Sequence, residues 1–66
     1  MEILVNGTTR QVRDGFNIAE LIEEMALANK RIAVEVNLSI VPRSQYAAHP
    51  LHHGDRVEIV HAIGGG

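Results

Sequence analysis

The chain has 66 residues, no cysteine and a formal net charge of -2, with 45% hydrophobic and 21% charged residues. This length allows one domain with a thin core, and the hydrophobic content is typical of a packed domain rather than a disordered segment. The absence of cysteine excludes a disulfide framework, a thiolate metal site and a cysteine nucleophile. The slightly acidic balance argues against nucleic-acid binding.

No apolar run approaches the roughly 20 residues that span a bilayer. The chain also does not open with a basic flank followed by an apolar stretch, which is the pattern of a secretory signal. We therefore expect a cytoplasmic protein that does not contact a membrane.

The opening segment predicts a hairpin. Residues 1–5 alternate in the manner of a strand, and Asn6-Gly7 is a strong signal for a type I′ turn because both central residues of that turn need a positive φ. The return strand is predicted over residues 8–13, with Val12 as its clearest inward side chain.

One helix follows the hairpin. Asn17 and Glu20 have the spacing of a capping box, and Phe16, just before the cap, is placed to contact the first turns of the helix. The apolar positions behind the cap recur at helical spacing, at Ile18, Leu21, Ile22 and Met25. This pattern predicts a helix over residues 18–28.

The second half of the chain predicts two strands and a short edge element between them. Residues 31–37 alternate cleanly, with Ile32, Val34 and Val36 on one face. A turn at Leu38-Ser39 leads to an extended stretch, residues 40–43, which must lie at a sheet edge because Pro42 has no amide donor. The remaining segments are a helical turn and loop over residues 44–51, a turn over 53–55 and a last strand over 56–63.

This order of elements predicts an α+β protein with a β-grasp fold, in which one main helix packs on one face of a mixed sheet. The last strand is long and apolar, so we expect it in the sheet interior, with the first strand parallel to it. The predicted domain covers residues 1–63, and residues 64–66 form a flexible glycine tail.

The histidines are the first candidates for chemistry. His49, His52 and His53 lie close together in the sequence, but a zinc site needs three or four ligands with supporting partners. We favour a solvated loop here, and we predict His61 to be a partly buried strand residue or a partner contact. We identify no catalytic residue and no metal site, and the glycines form no phosphate-binding motif.

The chain closes on Gly64, Gly65 and Gly66. Glycines at a terminus are often poorly ordered residues without a function. They can also pass through a narrow channel without side-chain clashes. A carboxylate is a poor electrophile, so chemistry at Gly66 would require a partner that supplies ATP and a nucleophile. Val60 and Ile63 are candidates for the interface with that partner, or else belong to the core.

The sequence resembles the ThiS family of sulfur carriers in thiamine biosynthesis, which are related to ubiquitin. The resemblance covers the whole chain. It rests on residues 3–7 (ILVNG), 33–37 (AVEVN), 40–43 (IVPR) followed by Tyr46, 54–59 (GDRVEI) and the closing glycines.

The resemblance implies a carrier protein rather than an enzyme. In this family a ubiquitin-activating-like adenylyltransferase uses ATP to adenylate the terminal carboxylate, here that of Gly66, which then becomes a thiocarboxylate. The sulfur comes from cysteine through a desulfurase, and thiazole synthase consumes it. Gly65 and Gly66 match the family directly, whereas Gly64 is an additional glycine that serves as a spacer or as a recognition element. The chain itself is expected to bind no cofactor.

Three alternatives stay open. The small subunit of molybdopterin synthase has the same fold and tail, although such chains are usually longer. A protein modifier that is conjugated to lysines would also keep the tail. An interaction domain would leave the glycines inert and use its open sheet face to bind a partner.

Overall fold

The computed structural model describes residues 1–61. Its elements are β1 (Glu2–Val5), β2 (Thr8–Gln11), α1 (Ile18–Glu24), β3 (Ile32–Val36), β4 (Ser39–Val41), a 3₁₀ helix (Arg43–Ala48) and β5 (Arg56–His61). The strands form one five-stranded sheet in the order β2-β1-β5-β3-β4. β1 and β5 are parallel and the other neighbours are antiparallel. This arrangement is the predicted mixed sheet with the last strand in its interior.

The β1–β2 hairpin turns at Asn6 and Gly7, as predicted. Their φ angles of 52° and 82° both lie in the left-handed region, which a type I′ turn requires and which asparagine and glycine tolerate best. The return strand β2 ends at Gln11 rather than at residue 13. Val12 follows the strand and is partly buried against the core.

The second hairpin turns one residue earlier than predicted. Asn37 and Leu38, with φ angles of 50° and 73°, form the turn, and Ser39 belongs to β4, paired with Val36. The prediction included Leu38 but combined it with Ser39 rather than with Asn37, and the positive φ of Leu38 is one that leucine rarely adopts. Two paired strands on either side hold it there.

Helix α1 starts as predicted. The Asn17 side chain accepts a hydrogen bond from the Glu20 amide at 2.8 Å, and the Glu20 carboxylate accepts one from the Asn17 amide at 3.0 Å. Together these bonds form the capping box. Phe16, which precedes the cap, is buried in the core.

The end of α1 differs from the prediction, because the helix stops at Glu24 and does not continue to residue 28. Ala26 has a φ of 58°, and its amide donates to the Glu23 carbonyl at 3.0 Å. The Leu27 amide donates to the Ile22 carbonyl at 2.9 Å. These two bonds are the Schellman pattern. The position that usually holds glycine holds alanine here, so the sequence carried no stop signal.

The core lies between α1 and one face of the sheet. Its buried side chains are Ile3, Val5, Phe16, Ile18, Leu21, Ile22, Val34, Val36, Val41, Tyr46, Leu51, Val57 and Ile59. Full burial of one such aliphatic side chain stabilises the fold by about 1.5–3 kcal/mol. The opposite face of the sheet is not covered by any element among residues 1–61.

Candidate functional site

Strand β5 is the last element that the structure describes, and it is bonded along both edges. On one side, the Leu4 amide donates to the Asp55 carbonyl at 2.9 Å, and the Asn6 amide donates to the Val57 carbonyl at 2.8 Å. On the other side, β3 pairs with β5 over five residues, from Ile32–His61 to Val36–Val57. The strand that precedes the tail is therefore fixed on both sides.

Two turn asparagines add side-chain bonds to β5. The Asn6 carboxamide accepts from the Ile59 amide at 2.7 Å and donates to the Ile59 carbonyl at 3.2 Å. In the other hairpin, the Asn37 carboxamide accepts from the Arg56 amide at 3.0 Å and donates to Asp55 Oδ1 at 3.0 Å. Each turn thus holds β5 through an amide side chain, and backbone pairing alone would not predict these contacts.

The uncovered side of the sheet carries exposed apolar side chains. Val60 is 59% exposed, Ile40 73% and Leu38 86%. Ala33 lies directly opposite Val60, and Ile40 lies directly opposite Glu35. We call the surface formed by Leu4, Ala33, Glu35, Ile40, Glu58 and Val60 the outer sheet face.

Two carboxylates face each other within this surface. Glu35 on β3 and Glu58 on β5 are direct cross-strand partners. Side chains in such positions have Cβ atoms about 4.5–5.5 Å apart, and like charges there are destabilising. The sequence showed both residues but not their pairing, because strand register cannot be read from the pattern of either strand alone.

Val60 is the predicted interface residue that the structure describes, and it lies on the outer sheet face rather than in the core. Ile63 and the glycines at positions 64, 65 and 66 lie outside the described residues. The assignments of those four positions, and the division into a domain and a tail, stay predictions.

The histidines do not form a site. His53 Nδ1 accepts a hydrogen bond from the Glu2 amide at 3.0 Å, and the His52 amide donates to Asp55 at 2.8 Å. Within residues 1–61, no three His, Asp or Glu side chains are grouped closely enough to hold a metal ion. His61 is exposed, so the prediction that it is partly buried is wrong. It is the last described residue of β5 and pairs with Ile32, the first residue of β3, at the end of the sheet.

No helix in the described part of the chain is long and apolar enough to cross a membrane. On the helix, Glu20 pairs with Arg13 and Glu24 pairs with Arg10. Within residues 1–61, what distinguishes the molecule is an ordered strand β5 and the outer sheet face around it.

Comparison with known proteins places these features in context. The model of the ThiS family matches residues 3–66. The sulfur carrier protein ThiS of Escherichia coli K12 is 35% identical over 66 residues, which cover all of both chains. The crystal structure of a ThiS thiamine biosynthesis protein from Geobacter metallireducens superposes with a TM-score of 0.86 at 30% identity, again over all of both chains.

A thiazole synthase of Paramagnetospirillum magneticum also matches, with 39% identity over 66 residues. All of this chain aligns there, but it spans only 20% of that protein's length. A second thiazole synthase, from Magnetococcus marinus, shows the same relationship at 36% identity and 20% of the length. A segment similar to this chain therefore occurs within longer thiazole synthases.

Proposed function

Because the chain belongs to the ThiS family, we propose that it is a sulfur carrier of thiamine biosynthesis and that its working group is the carboxylate of Gly66. The observation that carries the proposal is the end-to-end match with the sulfur carrier protein ThiS of Escherichia coli K12. The agreement in fold with the ThiS structure from Geobacter metallireducens supports it further.

The proposed chemistry begins with activation of the C-terminal carboxylate, which is a poor electrophile. An oxygen of the Gly66 carboxylate attacks the α-phosphorus of ATP and pyrophosphate leaves, which gives an acyl-adenylate. A persulfide then attacks the acyl carbon and AMP leaves, which gives an acyl disulfide. A thiolate of the partner attacks the S–S bond, so that the thiocarboxylate leaves and the partner keeps a disulfide. A ubiquitin-activating-like adenylyltransferase binds the ATP, and a cysteine desulfurase supplies the sulfur.

In this proposal the folded domain presents the tail to partner enzymes and does not itself catalyse a reaction. Strand β5, fixed by β1, β3 and the two turn asparagines, sets the starting point from which the last residues enter the partner's active site. Gly64 and Gly65 form a narrow linker that carries Gly66 into that active site, because glycine has no Cβ. Val60 and Ile63 contribute to the interface with the activating enzyme. We propose that the carrier works in the cytoplasm, where ATP and cysteine are available to its partners.

Thiazole synthase is the proposed acceptor of the sulfur. The support is that the thiazole synthases of Paramagnetospirillum magneticum and Magnetococcus marinus each contain a segment similar to the whole of this chain. Such a segment would keep a carrier close to the enzyme that uses it, at a high effective concentration. The separate chain would instead meet thiazole synthase by diffusion.

Intact-mass measurement tests the proposal. The chain is incubated with ATP, the cognate activating enzyme, a cysteine desulfurase, cysteine and a thiol reductant. We expect the mass to rise by the difference between sulfur and oxygen, with the change located at Gly66, and AMP to form in step. Deletion of Gly66 is expected to abolish the change, and omission of ATP provides the matched control.

The alternatives give different results in the same assay. An unchanged mass with an activating enzyme that turns over another carrier would rule out the sulfur-carrier function. A thiocarboxylate that supports molybdopterin formation but not thiazole formation would assign the chain to the molybdopterin pathway. A stable isopeptide adduct on lysine would identify a protein modifier.

A further inference from the structure

Asn6 and Gly7 are a residue pair at which a protein backbone closes readily on its own side chain. The amide nitrogen of Gly7 can attack the carboxamide carbon of Asn6, and glycine has no Cβ to hinder the approach. This is the only asparagine-glycine pair in the chain. Both residues are exposed, and an atom at the Cβ position of Gly7 would have no neighbour within 4 Å. The surrounding structure therefore does not shield the reacting atoms from water.

The contact with β5 restrains the reacting carboxamide. Its Nδ2, which must leave as ammonia, donates to the Ile59 carbonyl at 3.2 Å, and its Oδ1 accepts from the Ile59 amide at 2.7 Å. The Asn6 side chain must release β5 before its carbonyl carbon can close on the backbone nitrogen of Gly7. Reaction is therefore confined to the molecules in which this contact is open at a given moment.

We propose that Asn6 is a site of spontaneous deamidation, that its two bonds to Ile59 set the rate, and that the product no longer holds β5 at this point. The Gly7 nitrogen loses its proton and forms a bond to Asn6 Cγ, the Cγ–Nδ2 bond breaks, and Nδ2 leaves with that proton as ammonia. Water then opens the cyclic imide at either of its two C–N bonds, which gives aspartate or isoaspartate at position 6. The reaction consumes only water and requires no oxidant or cofactor.

Aspartate at position 6 retains only half of the contact. A carboxylate oxygen still accepts from the Ile59 amide, but a carboxylate has no N–H to donate to the Ile59 carbonyl. Two oxygen atoms then face each other where a hydrogen bond stood, and a carbonyl that has lost its donor is costly where water reaches it poorly. The turn itself survives, because Asp-Gly also suits a type I′ turn.

Isoaspartate disrupts the turn as well. Its main chain runs through the former side chain, which adds one methylene group to a loop of two residues. A hairpin loop of this length fixes the register of the strands that it joins. Isoaspartate is therefore incompatible with the pairing of Val5 with Thr8 that flanks the turn.

The position of Asn6 makes its loss consequential for β5. Backbone pairing between β1 and β5 extends only to Val57, whose carbonyl accepts from the Asn6 amide. Ile59, the next residue of β5 that faces this side, is held by the Asn6 side chain alone. Deamidation thus frees the last part of β5 along one edge. Slower presentation of the tail to partner enzymes would follow, and this consequence alone rests on the proposed function.

Asn37 provides a control within the same molecule. It also lies in a hairpin turn with a positive φ, and its carboxamide bonds β5 in the same manner, at Arg56 and Asp55. The residue after it is Leu38, whose side chain hinders attack by its own amide nitrogen. The two turn asparagines therefore share their structural role and differ in the residue that follows.

The test follows deamidation in the purified full chain at mildly alkaline pH, folded and unfolded in urea, by peptide mapping with mass spectrometry and an isoaspartate-specific methyltransferase. We expect Asn6 to convert in both states, roughly tenfold or more slowly in the folded chain because two hydrogen bonds must open. Asn37 should not convert over the same period. Mapping is needed because Asp14-Gly15 can form the same cyclic imide without release of ammonia.

Two variants complete the test. Leu38→Gly places glycine after Asn37, at a φ of 73° that glycine accepts, and should make Asn37 convert as well. Asn6→Asp reproduces one product, and the Ile59 amide should exchange with solvent faster than in the unaltered chain. Equal rates at Asn6 in the folded and unfolded chains, or unchanged Ile59 exchange in Asn6→Asp, would overturn the inference. No partner enzyme takes part, so these results are independent of the thiocarboxylate assay.

Discussion

Asn6 and Ile59, 53 positions apart in the sequence, are joined by two hydrogen bonds between the carboxamide of one and the backbone of the other, at 2.7 and 3.2 Å. The Asn6 side chain occupies the place of a further β1 residue and continues the parallel pairing beyond the end of that strand. The same asparagine also adopts the positive φ that the hairpin turn requires. One residue thus ends the first strand and holds the last.

The first prediction concerns this contact. Asn6→Gly retains a residue that accepts positive φ but removes both side-chain bonds. We expect a loss of about 1–2 kcal/mol in the free energy of unfolding and faster hydrogen exchange at the Ile59 amide. Urea denaturation and exchange measured by NMR test the two effects. Asn29→Gly, at an exposed loop position, is the control, and unchanged Ile59 exchange in Asn6→Gly would contradict the assignment.

The capping box of α1 gives the second prediction. Asn17→Ala removes the bond to the Glu20 amide and is expected to destabilise the protein by about 1 kcal/mol. Chemical denaturation provides the measurement, with Asn29→Ala for comparison. A loss no larger than that of the control would mean that the cap contributes little in a helix of only seven residues.

Ala26 gives a prediction of the opposite sign. Its φ of 58° costs a residue with a Cβ roughly 1–2 kcal/mol. Glycine removes that cost, but it also makes the unfolded chain more flexible, which offsets part of the gain in stability. We expect Ala26→Gly to raise the stability by about 0.5–1 kcal/mol. Ala28→Gly, two residues on, should not stabilise. Equal effects at the two positions would argue against the Schellman end of α1.

The repulsion between Glu35 and Glu58 can be measured directly. Glu35→Lys converts the pair into opposite charges, and we expect a gain of about 0.2–1 kcal/mol in the free energy of unfolding at low salt. In the double variant Glu35→Lys/Glu58→Lys, repulsion returns and the gain should disappear. If both variants have the same stability, the two side chains do not interact across the strands.

Val57 and Val60, on opposite faces of β5, separate folding from function. Val57 is buried and Val60 is largely exposed. Val57→Ala should lower the free energy of unfolding by about 1.5–3 kcal/mol, whereas Val60→Ala should change it by less than about 0.5 kcal/mol. We expect Val60→Ala instead to slow thiocarboxylate formation in the mass assay. An unaltered rate would remove Val60 from the proposed interface.

The local signals in the sequence were sufficient for several elements. Asn6-Gly7 fixed the first hairpin because few residue pairs accept two positive φ angles, and Asn17 with Glu20 fixed the start of α1 because the bonds of a capping box lie within four consecutive residues. The alternation in residues 31–37 identified the buried face of β3. The order of these elements was enough to predict the β-grasp fold.

Tertiary structure decided the rest. α1 ends early because the packing of Leu27 and the bonds of the Schellman turn impose a left-handed conformation on Ala26. The second hairpin turns at Asn37 and Leu38, rather than at Leu38 and Ser39, because its flanking strands are paired in that register. The same register brings Glu35 opposite Glu58. By itself the sequence determined the family, the order of elements and the candidate chemistry of the tail, because these depend on residue type and short-range spacing. Only the folded sheet decided which distant side chains meet, because strand register is set by the sum of contacts across the whole sheet.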